Sequence, residues 1–252
     1  MTAAGAAPTA ALDCREQTFE TGVAGLPVAK LSLPADAGPD ITRALIDLET
    51  SWRTDGIWLV SCRVPADRMD LAPMLEGVGF QAVETLITFY QPARPARNLT
   101  AETGLARADE IDACVDLALS AFTYDRLHRD ARVPHAVADA IRAAWVRNDM
   151  GGRAAAPLVA RIDGRVAGFN LCLHAGRTAI IDLIAVAADF RRRGLAGQMI
   201  EAAFAHFGDT IDGIRVGTQE DNAASVKLYE SAGFAVESRQ VTLHWVNPQV
   251  TP

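Results

Sequence analysis

The segment IIDLIAVAADFRRRGLAGQMIEAAF, residues 180–204, restricts the chain most. An apolar run spanning residues 180–186 reads as a buried strand. A short loop then leads into Arg191, Arg192, Arg193, Gly194, Leu195, Ala196 and Gly197, and a strongly apolar helix opens there and runs to Phe207. The first amides of a helix have no internal partner and sit at the positive end of its dipole. Gly194, Ala196 and Gly197 carry little or no side chain, so a pyrophosphate can come close to those amides. The three arginines add positive charge beside them. Taken alone, the turn also fits a helix start that merely happens to be small and basic.

The rest of the composition narrows the partners. A net charge of -7 over 252 residues argues against a broad nucleic-acid surface, which needs many Lys and Arg side chains to neutralise phosphates. No stretch approaches the ~18 uninterrupted apolar residues of a membrane span. The Ala-rich start has no basic residues and no long apolar run, so residues 1–11 read as a disordered tail rather than a secretory signal. Cys14, Cys62, Cys114 and Cys172 lie far apart with no CxxC or Cys/His pairing, which predicts reduced thiols, a cytoplasmic protein and no metal site.

Strand and helix signals alternate along the chain, as in an α/β (α+β) layer structure. Pro92 and Pro95 interrupt regular pairing in QPARPARN, so the boundary is placed there: an N-terminal α/β domain over residues 12–92, a linker over 93–98 and a second domain over 99–248. Residues 57–64 read as a buried strand. In the second part, Ile111, Val115, Ala118, Leu119 and Phe122 share one helical face, and Asp163-Gly164 joins two strands as a tight hairpin. The two blocks echo each other: MLEGVGFQAVETLITFY parallels LYESAGFAVESRQVTLHW, with Gly79-Phe80 over Gly233-Phe234 and Glu84 near Glu237.

R-x-x-G-x-A after an apolar strand, followed about 25 residues later by DNAASVKLYESAGF, resembles the GNAT superfamily of N-acetyltransferases. The resemblance implies a mixed, splayed central sheet in the C-terminal part, with the smaller N-terminal domain a degenerate, non-catalytic half of the same fold. It also implies acetyl-CoA as co-substrate. Its pyrophosphate would rest on residues 191–197, Asn222 would contact it, and main-chain groups of Ile184, Ala185 and Val186 would pair with the pantetheine arm, one amide receiving the oxyanion. Tyr229 would protonate the leaving thiolate. A phenol of unperturbed pKa near 10 suits that role. Asp182, two residues before Ile184 and so expected on the same face, is the candidate general base; a turn-anchoring aspartate is the alternative.

The acceptor is read from residues 124–148. Tyr124, Arg126, His128, Trp145 and Asn148 are the candidate substrate-binding residues: the cations could meet a phosphate, the aromatic rings a base or sugar face. This stretch resembles dTDP-fucosamine acetyltransferases, whose Ser-Arg-Phe/Tyr-His-x-Asp-Pro pattern stands here as Asp125-Arg126-Leu127-His128-Arg129-Asp130-Ala131, without the Ser, the aromatic residue and the Pro. The resemblance implies a nucleotide-linked amino sugar or a similar small polar amine as acceptor. The alternatives are an amino acid, an antibiotic amine or a protein N-terminus, and, in a different class, a non-catalytic acyl-CoA sensor. If the chain self-associates, a homodimer is the commonest form.

Overall fold

In the computed structural model, which describes residues 12–97, 99–122 and 125–252, ten strands form one continuous sheet. The chain runs β1 (Asp13–Glu16), α1 (Thr18–Ala24), β2 (Val28–Ser32), α2 (Thr42–Thr54), β3 (Leu59–Pro65), α3 (Ala72–Gly77) and β4 (Gln81–Pro92). It continues through β5 (Glu102–Leu105), α4 (Ile111–Ala121), α5 (Arg126–Arg129), α6 (His135–Asn148), β6 (Ala156–Ile162), β7 (Arg165–Ala175) and β8 (Thr178–Val186). It closes with α7 (Leu195–Phe207), β9 (Gly213–Gln219), α8 (Ala223–Ala232) and β10 (Ala235–Val246). The expected tail, residues 1–11, lies outside the described residues. No helix among the described residues is long and apolar enough to cross a membrane.

The strand order β1-β2-β3-β10-β4-β9-β8-β7-β6-β5 explains the sequence echo. Each half makes an antiparallel pair, then a parallel pair joined through a longer helix: β1, β2, α2, β3 in the first half and β7, β8, α7, β9 in the second. Each then makes a short helix, a turn at a glycine with positive φ (Gly79 at +98°, Gly233 at +96°), and a long final strand. The final strands are exchanged. β10 lies between β3 and β4, and β4 lies between β10 and β9, all antiparallel. The N-terminal part is thus a half of the same fold, and each half is completed by a strand of the other.

Residues 93–98, expected as a linker, fall in the connection from β4 to β5, and the parts they join share both a sheet and a core. Trp58 and Leu59 from the first part bury with Leu127, Val133 and Ile141 from the second. The expectation that Pro92 breaks the ladder is corrected, for Pro92 pairs with Gly213 at the end of β4. The pairing of β10 with β4 begins only at Tyr90, so the backbone at Pro92 has a strand on one side and its missing N–H is tolerated.

Helices cover both faces. α7 and α8 bury Ile200, Phe204 and Tyr229 against Phe89, Ile181 and Val216. α4 and α6 bury Val115, Ala118 and Val146 against Phe169, Leu171 and Leu183 on the other face. Within α4 the buried set is Cys114, Val115, Leu117 and Ala118. Leu119, expected inward, is 36% exposed.

Candidate active site

β8 and β9 run parallel, but they pair only from Thr178–Ile181 against Gly213–Val216. Beyond that point both strands continue without touching, so the sheet opens into a V. The opening starts at an irregularity: Leu171 faces Leu183 and Cys172 faces Ile181, leaving Asp182 as an extra residue in β8. Such a bulge bends a strand and reverses which face its side chains take. Ile181 packs with the α7 and α8 core, Leu183 and Ala185 pack with the α4 and α6 core, and Ile184 returns to the α7 side. The expected sharing of a face by Asp182 and Ile184 is therefore corrected, because the bulge falls at Asp182 and breaks the alternation.

A cavity of about 610 Å³ occupies the opening. Its floor is Ile181 to Ile184 of β8 and Val216 to Gln219 of β9, with Asn222, Ser225 and Tyr229 of α8 beside them. On the edge that faces β9, the main chain of β8 past Ile181 has no ladder partner and can pair with an extended ligand arm. Ala185 is buried and offers its backbone alone.

At the far end of β8, Arg191 Nε donates to the carbonyl of Val186 at 3.2 Å and folds the turn back on the strand. Arg192 (φ +61°) and Gly194 (φ +77°) take left-handed conformations, and α7 opens with no side-chain cap on its first amides. The arginine side chains and Gly194 are exposed, and the positions a Cβ would take at Gly194 and Gly197 are open space. Leu195 packs inward with Met199 and Ala167, so only its amide faces out. Exposed helix amides beside arginines are features that can receive a pyrophosphate.

Tyr229 is 2% exposed, its ring against Phe89 and Phe234. Burial, reinforced by the nearby Cys172, pushes the phenol well above its ordinary value, which corrects the expectation of an unperturbed group. The hydroxyl is bonded to nothing among the described residues and stays protonated over the physiological range. Asn222 lines the cavity and caps α8, its Oδ1 accepting from the Ser225 amide at 3.2 Å.

Across the cavity lies a group that the sequence did not point to. α6 ends in a wide helical turn, Asp149–Arg153, closed at Gly152 with φ 122°. Arg153 is bonded to Asp149 Oδ1 and donates to Asp182 Oδ2 at 2.7 Å, so one guanidinium joins two carboxylates. Asp149 is fully buried and its Oδ2 has no partner. Burial, assisted by the charge of Asp182 and opposed by Arg153, pushes Asp149 up to about 6.

Residues 112–234 match the acetyltransferase (GNAT) family model. That stretch holds the bulge, the open β8–β9 pair, the arginine turn and Tyr229. The matched segment, residues 112–234, is a GNAT acetyltransferase domain. A GCN5-related N-acetyltransferase from Sphaerobacter thermophilus superposes with a TM-score of 0.64 over 94% of this chain and 76% of its own, at 16% identity. A tandem GNAT protein from the clavulanic acid biosynthesis pathway does so with a TM-score of 0.58 over 96% of this chain and 84% of its own, also at 16% identity. At that identity the likeness is one of fold, and a tandem arrangement is what the exchanged halves display. In sequence, 147 residues (57% of this chain) are 31% identical to the spore coat polysaccharide biosynthesis protein SpsD of Bacillus subtilis (strain 168). The chain spans half of that relative's length.

The rest of the cavity is built by both halves. Arg126, Trp145 and Asn148 line it, and Tyr124 lies outside the described residues. Arg126 donates to Glu20 of α1 at 2.6 Å and lies 6.0 Å from the Trp145 ring. His128 is placed differently from the expectation. Its two nitrogens are held by Asp125 at 2.7 Å and Asp139 at 3.0 Å, its side chain is 4% exposed, and it fixes α5 rather than lining the cavity. Glu20, Arg63 and Glu84 of the N-terminal half also line the cavity, with Arg142 of α6, and none of these was expected from the sequence as a site residue. They carry no motif and meet only through the strand exchange.

Buried His244 of β10 ties this side down. Its Nδ1 is 3.0 Å from Asp130, and Arg132 donates to its carbonyl at 3.0 Å. Burial lowers His244 from 6.5 to about 4, with Asp130 opposing. The unfolded chain therefore binds this proton below pH 6.5 and the folded chain only near 4, so stability falls as pH drops through that window. Asp149 acts with the opposite sign between 3.8 and about 6, where the folded chain holds the extra proton. The thermal midpoint is expected to fall on acidification from pH 7 to 4. His244→Gln should flatten that fall and Asp149→Asn should steepen it. Slopes identical in all three proteins would remove both groups from the pH response.

Proposed function

We propose that this chain is an acetyl-CoA-dependent N-acetyltransferase whose acceptor is a nucleotide-linked amino sugar or a similar small polar amine. The observation that carries the reading is the bulged, open β8–β9 pair, with a protonated tyrosine on one side and a carboxylate on the other. The name of the partial relative, a polysaccharide biosynthesis protein, supports a sugar acceptor.

Acetyl-CoA would supply the acetyl group as an activated thioester. The amides at the start of α7 and the arginines hold its pyrophosphate, and the free edge of β8 aligns the extended arm. Asp182, exposed in the cavity, takes the proton that the attacking amine must lose. A main-chain amide among Ile184, Ala185 and Val186 donates to the oxyanion that forms at the carbonyl. As the carbonyl re-forms and the carbon–sulfur bond breaks, the Tyr229 hydroxyl gives its hydrogen to the departing sulfur; the phenolate then takes a proton from solvent and Asp182 releases one there, with no covalent enzyme intermediate.

Gly194→Val should weaken acetyl-CoA binding about tenfold or more. A β-branched residue at φ +77° costs roughly 1–2 kcal/mol, and its methyl groups fill the open space before the amides. Titration calorimetry checks this, and unchanged affinity in a folded variant would undo the assignment of the turn. The acceptor is tested by thiol release from acetyl-CoA with dTDP-4-amino-4,6-dideoxygalactose, free amino acids and an aminoglycoside. Selective turnover of the nucleotide sugar supports the reading, whereas turnover of another amine alone replaces the acceptor.

A further inference from the structure

Four arginines line the main cavity, and three of them are neutralised. Arg126 is paired with Glu20 at 2.6 Å, Arg142 with Asp125 at 2.5 Å and Arg153 with Asp182 at 2.7 Å. Arg63 is bonded to no group among the described residues. It stands on β3, where Cys62 and Val64 turn into the N-terminal core and Arg63 turns the other way. It lies where the main cavity meets a smaller one of about 210 Å³, whose wall also carries Lys30 of β2. The nearby carboxylates are already engaged: Glu20 by Arg126, and Glu84 by Gln219 at 3.1 Å and Thr242 at 3.3 Å. Arg63 lies exposed on the cavity wall, and desolvation by the surrounding protein together with the charge of Arg126 lowers its pKa, with Glu84 and Glu20 opposing. With no carboxylate hydrogen-bonded to it, this guanidinium keeps its donors open to the cavity, and a planar oxyanion would satisfy them by paired hydrogen bonds.

We infer that Arg63 is the receptor for an anionic group on the amine acceptor. This rests on the N-acetyltransferase reading and names its substrate class: an amine that also carries a phosphate or a carboxylate. The amine end lies at Asp182 in the C-terminal half and the anionic end lies at Arg63 in the N-terminal half, within one cavity. The half that lacks the arginine turn and a counterpart to Tyr229 thereby selects the acceptor. Lys30 sits beside Arg63 and adds charge to the same end. The acceptor must then come from a reaction that installs an amine on an already phosphorylated or carboxylated molecule.

The test uses the full chain with CoA at saturation, so that the turn at Gly194 is filled. Wild type, Arg63→Gln and Arg63→Lys are titrated calorimetrically with thymidine diphosphate as the phosphate probe and with glutamate as the carboxylate probe. One probe is expected to bind wild type, to lose about tenfold or more in affinity with Arg63→Gln, and to recover in part with Arg63→Lys. Equal affinities in wild type and Arg63→Gln, or no binding of either probe to wild type, would overturn the inference. Because this readout needs no turnover, it stands apart from failure of the acetyl-transfer reading. In turnover, Arg63→Gln should raise KM for an anionic amine about tenfold with kcat nearly kept and KM for an uncharged amine unchanged; an equal rise for both amines would also overturn it.

Discussion

Tyr229→Phe is expected to lower kcat about 10²-fold or more with acetyl-CoA affinity unchanged, the range expected for loss of a general acid. The prediction rests on position and protonation. Tyr229 lines the cavity beside the open strands, and burial keeps its hydroxyl protonated. The same burial makes the hydroxyl a cost to the folded state, since it has no bonding partner among the described residues. The variant should therefore unfold at the wild-type temperature or slightly above it. Loss of turnover with undiminished stability would separate a catalytic role from a packing role against Phe89 and Phe234. Equal turnover in the two proteins would take Tyr229 out of the mechanism.

Asp182→Asn is expected to cost a similar 10²-fold in kcat/KM at neutral pH, since it removes the cavity carboxylate proposed to take the amine's proton. The partner behind it sets the pH dependence. Arg153 joins Asp149 to Asp182, so ionisation of Asp149 changes the charge beside the carboxylate proposed as the base. Activity should rise with pH through an apparent value near 6, the value to which burial raises Asp149. Asp149→Asn should abolish that limb while retaining more activity than Asp182→Asn. A limb near 6 that persists in Asp149→Asn would show that another group controls it.

What could be read from the sequence was local. The helix 195–207 and its arginine turn were legible because small residues, charge and helical periodicity coincide within a few positions. The Asp163-Gly164 hairpin was legible because both residues take positive φ, at 51° and 73°. The paired Gly79-Phe80 and Gly233-Phe234 turns pointed to the internal repeat. The exchange of β4 and β10 was out of reach, because either strand pairs equally well on paper with its own half. The bulge at Asp182 has no residue signature, and it decides which face Asp182, Leu183 and Ile184 take. Arg63 and Glu84 enter the cavity, and His128 leaves it, through packing between distant segments. Those are tertiary facts that periodicity does not encode.

In the proposed mechanism the opening between β8 and β9 brings a thioester to Tyr229. The most direct measurement is the distance from the Tyr229 hydroxyl to the CoA sulfur in a crystal structure of the complex. The expected result is hydrogen-bond reach, within about 3.5 Å, with the arm along β8 and the pyrophosphate on the amides at the start of α7. A sulfur placed away from the β8–β9 opening, with Tyr229 still enclosed by Phe89 and Phe234, would contradict it.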